Sequence, residues 1–174
     1  MSRSPYLSSA PSVSVIMLKV MLALVPAIAA YVWVFGVGIL VMLALASVTA
    51  LAAEALMLKL RNRAIKPFLI DGSALLTAWL LALSLPPLAP WWLVVVGTFF
   101  AIVIAKQLYG GLGYNPFNPA MVGYAVLLIS FPVIMTHWPA PLELAQAKLS
   151  FANQLEYIFG TTNSLSLDAV SMAT

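Results

Sequence analysis

Apolar residues in this chain do not alternate with polar ones; they fall in five blocks separated by short polar, glycine-rich or proline-rich breaks. The hydrocarbon core of a bilayer takes about 20 consecutive apolar residues as a helix, with a working range of roughly 17–25. The first block runs from about Ser14 to Phe35 and contains Lys19 and Pro26; the second runs from about Val37 to Leu58 and contains Glu54. Gly36 and Gly38 between them mark a tight turn, so the two blocks predict a helical hairpin. The third block, Ser73 to Leu85, is short and is stopped by Pro86, Pro87 and Pro90. The fourth opens on Trp91-Trp92 and reaches about Leu108; the fifth starts at Pro119 and reaches about Met135, with Pro132 near its end. The pattern predicts an all-α, polytopic membrane protein with about five transmembrane helices, some of them short or broken. Residues 1–136 form its membrane domain, and an outer segment follows from residue 137 to 174.

Composition supports lipid as the main solvent. Of 174 residues 63% are hydrophobic and only 7% are charged, against roughly 25% charged in a soluble domain. Mean hydropathy is +1.05. Disorder is excluded, because it requires low hydrophobicity and high charge. With no cysteine and a single histidine, the chain offers no disulfide frame, no thiolate metal site and no multi-histidine metal or haem site.

The net charge of +3 matters less than its distribution. Lys59, Arg61, Arg63 and Lys66 lie close together between the second and third blocks, the pattern of a cytoplasmic loop and not of a nucleic-acid groove. Placing that loop inside a bacterial inner membrane makes the N-terminus cytoplasmic as well. The Gly36 turn and the prolines at 86–90 then lie outside, the loop after Lys106 inside, and everything after about residue 137 in the periplasm. The N-terminus has sparse charge and no small-residue cleavage site, and a full second span follows, so it does not read as a cleaved signal.

Few polar residues interrupt the blocks. Lys19 and Lys106 lie near span ends, where long basic chains snorkel to the headgroups. Glu54 stands five residues before Lys59; a local ion pair or an interfacial position is the simpler reading, a buried carboxylate on a proton or cation path the sharper one. Trp91, Trp92 and Trp138 lie near predicted boundaries and read as an aromatic belt, with Trp79 the exception. His137 reads as interfacial. No residue reads as catalytic and none as a metal ligand.

Two breaks carry more information. Asp71-Gly72-Ser73 precedes the short third span, with Asp and Ser suited to cap a helix start. Gly110-Gly111-Leu112-Gly113-Tyr114-Asn115-Pro116-Phe117-Asn118-Pro119 cannot form a stable helix in lipid, so it must be shielded by protein or water. In it Asn118 reads as an N-cap and Pro119 as the first helical position. Glycine- or proline-interrupted segments of this kind mark binding sites in repeat-built membrane proteins. Ordinary, well-capped loops remain the plainer reading. Asn118-Pro119-Ala120 is also the water-channel tripeptide, but water channels use two and this chain has one.

After the fifth block, apolar residues recur at 142, 145, 149, 152, 155 and 159 before Gly160, the spacing of an amphipathic helix lying on the membrane surface. The sequence closes on Asp168-Ala169-Val170-Ser171-Met172-Ala173-Thr174. Asp-x-x-Ser-x-Ala-Thr resembles the flavinylation motif of the membrane subunits of Rnf and Na⁺-pumping NADH:quinone reductase complexes. The stretches 110–121, Ser73-Ala74-Leu75-Leu76-Thr77 and Leu85-Pro86-Pro87-Leu88-Ala89-Pro90-Trp91-Trp92 are likewise similar to the D subunits of Rnf complexes, collinearly over nearly the whole chain. Met172 stands where the motif usually has glycine or a polar residue.

The resemblance implies a membrane subunit of a redox-driven, ion-translocating electron transport complex, part of a translocase and not catalytic alone. It implies covalent FMN on Thr174 through a phosphoester bond, with Asp168 and Ser171 read by a flavin transferase or orienting the loop. Partners would be the other subunits of the complex and the bilayer. The stretch 110–119 and Asp71 become candidates for contact with a second, non-covalent flavin such as riboflavin, a quinone or an ion. Family members continue past the threonine with further spans, so the chain is expected to be the N-terminal half of an inverted-repeat subunit. The coupling ion, Na⁺ or H⁺, stays open. The alternative class is a non-redox channel or secondary-transporter half with discontinuous helices.

Overall fold

The computed structural model describes residues 12–142 and 150–160, and these are helical with short connections. Helix α1 (Val13–Phe35) is capped by Ser12, whose side chain accepts from the Val15 amide. Helix α2 (Gly38–Leu60) follows after a two-residue turn in which Gly36 adopts φ 95°, a backbone state that glycine reaches without a steric cost. These two helices are long and apolar enough to cross a membrane. Then come α3 (Ile65–Ile70), α4 (Ser73–Ser84) and α5 (Trp91–Phe99), the last continuing without a break as a π-helix over Phe100–Gln107. Helices α6 (Pro119–Ser130), α7 (Pro132–Thr136) and α8 (Phe151–Phe159) complete the described elements.

Helix α2 is the centre of the bundle, packed against α1, α3, α4, α5 with its π continuation, and α8. Its buried residues include Gly38, Met42, Ala46, Ala50, Glu54 and Leu58, one in every four, a ridge inclined to the axis that winds from one neighbour to the next. Periodicity in the sequence does not reveal this ridge, because the opposite, lipid-facing side of α2 is apolar too.

Lipid chains are as apolar as leucine, so helices in a membrane are held by close packing and polar contacts and not by expulsion of water. Small residues accordingly line the contacts: Ala74, Thr77, Ala78 and Ala82 on α4, Gly97, Thr98 and Ala101 on α5 and its continuation, Ala120 and Gly123 on α6. A close backbone crossing lies between α5 and α6. A Cβ placed on Gly123 would lie 2.6 Å from the Gly97 carbonyl oxygen and 3.1 Å from the Ala101 side chain. Helix α1 is the opposite case: none of its residues is buried, and Val15, Leu18, Leu22 and Trp33 are exposed on its surface.

Two of the apolar blocks give helices much shorter than a bilayer. Helices α4 and α6 have 12 residues each, about 18 Å of rise against a core of about 30 Å. After α4 the chain continues without helix through Leu85, Pro86, Pro87 and Ala89, all buried, so protein and not lipid surrounds that backbone. The fifth block, expected as one helix to Met135, is instead two. Pro132 has no amide hydrogen and its ring would clash in a continuing helix; Phe131 takes φ −135°, ψ 54°, and α7 starts afresh at Pro132. The basic loop holds a helix that the pattern does not signal, α3, with Pro67 in its first turn. Of the amphipathic run predicted from Leu142 to Phe159, the described part is α8, closed as expected by Gly160 in the left-handed conformation.

Because the backbone oxygen of Gly97 cannot move away from an added methyl, Gly123→Ala is expected to destabilise the full-length protein by about 1–3 kcal/mol. Ala125→Ser on the exposed side of α6 should stay within about 0.5 kcal/mol. Thermal unfolding in detergent distinguishes the two; equal midpoints would mean that this crossing does not hold the bundle.

Candidate functional site

The polar residues of the helices converge at the end of the bundle where the basic loop lies. Glu54 sits six residues before the end of α2, roughly 9 Å of rise from it, and is 1% exposed. Lys106 reaches it from the π-helix: its Nζ donates to Glu54 Oε1 at 2.5 Å and to Ser73 Oγ at 2.7 Å. The next residue, Gln107, donates from Nε2 to the same Glu54 oxygen at 2.9 Å. Ala105, Lys106 and Gln107 are all buried although consecutive. A π-helix bonds each amide five residues back and so has more residues per turn than an α-helix. Successive side chains then lie closer in azimuth, and Lys106 and Gln107 both reach α2.

Ser73, the first residue of α4, joins the pair to Asp71. Its amide and its hydroxyl both donate to Asp71 Oδ1, at 2.7 and 2.6 Å. Asp71 thus accepts from the first amide of α4, but the N-cap position itself is Gly72 at φ 79°, and Ser73, expected as a cap, is the first helical residue. Arg61 closes the group on the opposite side, its Nη1 donating to the Gln107 carbonyl at 2.7 Å, and Arg63 approaches the Gly110 carbonyl at 3.4 Å. Two of the four loop bases therefore donate to carbonyls at and just past the end of the π-helix, where positive charge is favoured by the dipole; the Gln107 carbonyl also accepts from the Gly110 amide at 3.1 Å. Glu54 and Asp71 balance Lys106 and Arg61 in charge. One atom is left over: Glu54 Oε2 is buried and has no hydrogen-bond partner.

This arrangement corrects two expectations. Lys106 does not snorkel; it is 2% exposed. Glu54 is buried in the bundle and not paired with Lys59; its partner comes from 52 positions away. Once α2 turns Glu54 inward, an unpaired carboxylate among apolar side chains would cost several kcal/mol, and the lysine that can follow it inward is the one on the adjacent π-helix. Lys19 is exposed, like most of α1, none of whose residues is buried. The sequence does not mark Gln107, Ser73 and Arg61 as partners of Glu54 and Lys106; the one hint is a Lys-Gln pair closing an apolar block just before the glycines.

The glycine-rich break leaves the same end of the bundle. Gly110, Gly111 and Gly113 all have positive φ. Asn118 caps α6 as predicted, its Oδ1 accepting from the Ala120 amide at 3.0 Å, with Pro119 in the first helical position. At the opposite end Gln154 of α8 accepts from the Gly38 amide at 2.7 Å, a contact the sequence does not indicate. Beside it lies an apolar cavity of about 370 Å³ walled by Trp91, Trp92, Trp138, Tyr157 and Phe159 and reached by Gly160. His137 is exposed and also borders this cavity. Burial raises the Tyr157 phenol above its ordinary pKa, so it remains a neutral hydroxyl. Trp79 is held mid-bundle by its Nε1 donating to Ser47 Oγ at 3.1 Å. Thr174, Asp168 and Ser171 lie outside the described residues.

Residues 1–174 match the profile of the NQR2, RnfD, RnfE family. The chain belongs to that family. Among curated relatives, the D subunit of the ion-translocating oxidoreductase complex of Escherichia fergusonii is 55% identical over 180 residues, covering 98% of this chain and 51% of its own length. The proteins of the same name from Shigella dysenteriae and an Escherichia coli strain are 57% and 56% identical with the same coverage. The chain thus spans about half the length of these relatives. Family membership and the helical architecture agree on an all-α, polytopic membrane protein.

The pair makes a thermodynamic prediction. Glu54→Gln or Lys106→Gln alone leaves one buried charge without its partner and should cost about 3–5 kcal/mol. The double variant, with two neutral amides, should recover most of that loss. Midpoints of unfolding for wild type, both single variants and the double variant give the coupling; additive losses would mean that the two groups do not act as a pair.

Proposed function

We propose that this chain is the flavin-bearing membrane portion of an ion-translocating oxidoreductase complex, carrying FMN on the Thr174 hydroxyl through a phosphoester bond. The complex would couple electron transfer linked to NADH or ferredoxin to Na⁺ or H⁺ movement, with this chain as an electron station and part of the membrane path. The observation that carries the reading is the Asp168-x-x-Ser171-x-Ala173-Thr174 ending in a chain whose whole length matches the family. The names of its relatives, D subunits of such complexes, support it. Its partners would be the other subunits, the surrounding lipid and, during maturation, a flavin transferase.

When bound, FMN would supply one-electron redox chemistry. The chain's own residues would do the rest. Thr174 Oγ tethers the phosphate and leaves the ring system free. The aromatic cavity is bordered by Gly160, after which the sequence runs on to the motif, and its volume falls within the roughly 300–1,000 Å³ of small-molecule sites. Trp91, Trp92 and Trp138 there offer flat apolar faces on which an aromatic ring stacks.

Co-expressed with its flavin transferase, the full-length protein should show in-gel flavin fluorescence and an intact mass increased by one FMN. Thr174→Ala should lose both signals. Absence of flavin in the wild type, or its persistence in the variant, would leave the channel or transporter reading in its place.

The same proposal places the basic end of the bundle in the cytoplasm. Contacts of Arg61 with Gln107 and of Arg63 with Gly110 put the two loops on one side, while Leu142 donates to the Val34 carbonyl at the other. A reporter fused after Pro139 should therefore behave as periplasmic and one at Asn62 as cytoplasmic; the reverse pattern would overturn the orientation.

A further inference from the structure

We infer that the Glu54–Ser73 pocket is a seat for a small alkali cation, and that Lys106 is its tethered occupant, displaced when the cation binds. The ammonium of Lys106 sits between two oxygens, Glu54 Oε1 at 2.5 Å and Ser73 Oγ at 2.7 Å. A third oxygen, Glu54 Oε2, is buried and unpartnered. The two oxygens that meet at the ammonium, a carboxylate and a hydroxyl, are donors of the kind hard cations take, and Oε2 is a further acceptor on the same carboxyl group. A lone carboxylate with both oxygens in use would need no further ligand; this one has an acceptor to spare in a place closed to bulk water.

Three features make displacement physically reasonable. The exchange conserves charge, because a monovalent cation replaces an ammonium next to Glu54. Lys106 has somewhere to go: its backbone lies at the end of the π-helix, beside exposed Leu108 and Tyr109, so its four-carbon stem can extend to the headgroup region. The pocket also has a polar flank, since Asp71, hydrogen-bonded to Ser73, is only partly buried. Arg61, held on the Gln107 carbonyl and within 3.3 Å of its Oε1, keeps the Gln107 amide directed at Glu54. The inference is independent of the flavin and of Thr174; it concerns only residues of the helical bundle.

Sodium is the probe. In the full-length protein in detergent, at constant ionic strength, replacing choline by Na⁺ should raise the thermal midpoint, because a ligand that binds only the folded state stabilises it. The tethered ammonium competes at an effective concentration in the millimolar range or above, so its removal in Lys106→Gln should lower the half-saturating Na⁺ concentration by about tenfold or more. Glu54→Gln/Lys106→Gln, which keeps the pocket neutral and foldable, should lose the sodium response. If Lys106→Gln proves too unstable, Lys106→Ala with Na⁺ present throughout purification serves the same comparison. A sodium response unchanged in the double variant, or none in either Lys106 variant, overturns the inference. Flavin content plays no part in the readout, so a protein without FMN could still pass this test and a flavinylated one could fail it.

Discussion

A polar group inside a membrane protein has no water to fall back on, and this constraint organises the bundle around Glu54. Its carboxylate draws in Lys106 from the π-helix, Gln107 from the next position and Ser73 from the start of α4. Elements distant in sequence are thereby pinned to the central helix at one level. Among apolar neighbours these contacts supply direction, whereas the packing of Ala and Gly supplies proximity. Neither alone would select this arrangement: small residues allow helices to slide, and a charge pair fixes the register at which they stop.

The wider turn of the π-helix is part of the same solution. Such segments recur where a helix must present residues out of its ordinary phase. In this protein it brings Lys106 and Gln107 onto one face and ends two residues before the glycines. The polar cluster and the break in the chain thus share one end of the bundle, while the aromatic cavity occupies the other. The two ends of the bundle therefore differ in chemistry, one charged and hydrogen-bonded, the other aromatic and apolar.

Much of the fold is legible in residue order. Apolar block lengths locate the helices, Gly36 and the prolines locate their ends, and Asn118-Pro119 locates a cap. What escapes is azimuth. Inward and outward faces of α2 are equally apolar, so nothing in the pattern says that Glu54 points inward or that Lys106 follows it. The break at Phe131 is visible as Pro132, but a proline near the end of a block signals the close of a span as readily as the start of a new helix. Buried partners such as Gln154 and Gly38 are 116 positions apart, and no local signal connects them. For the flavin motif the reverse holds: it is legible only in sequence, since its residues fall outside the described structure.

Order of synthesis gives the Glu54–Lys106 pair another meaning. The carboxylate leaves the ribosome 52 residues before its cation, an interval of roughly 3–10 s at about 5–20 residues per second. During that time α1 and α2 enter the bilayer as a hairpin with an acid that has no partner. Its place near the end of α2 lets the acid wait at the headgroups, where a charge is far less costly than at the bilayer centre. The distance between the two charges in the gene thus sets how long the acid is without its partner during synthesis.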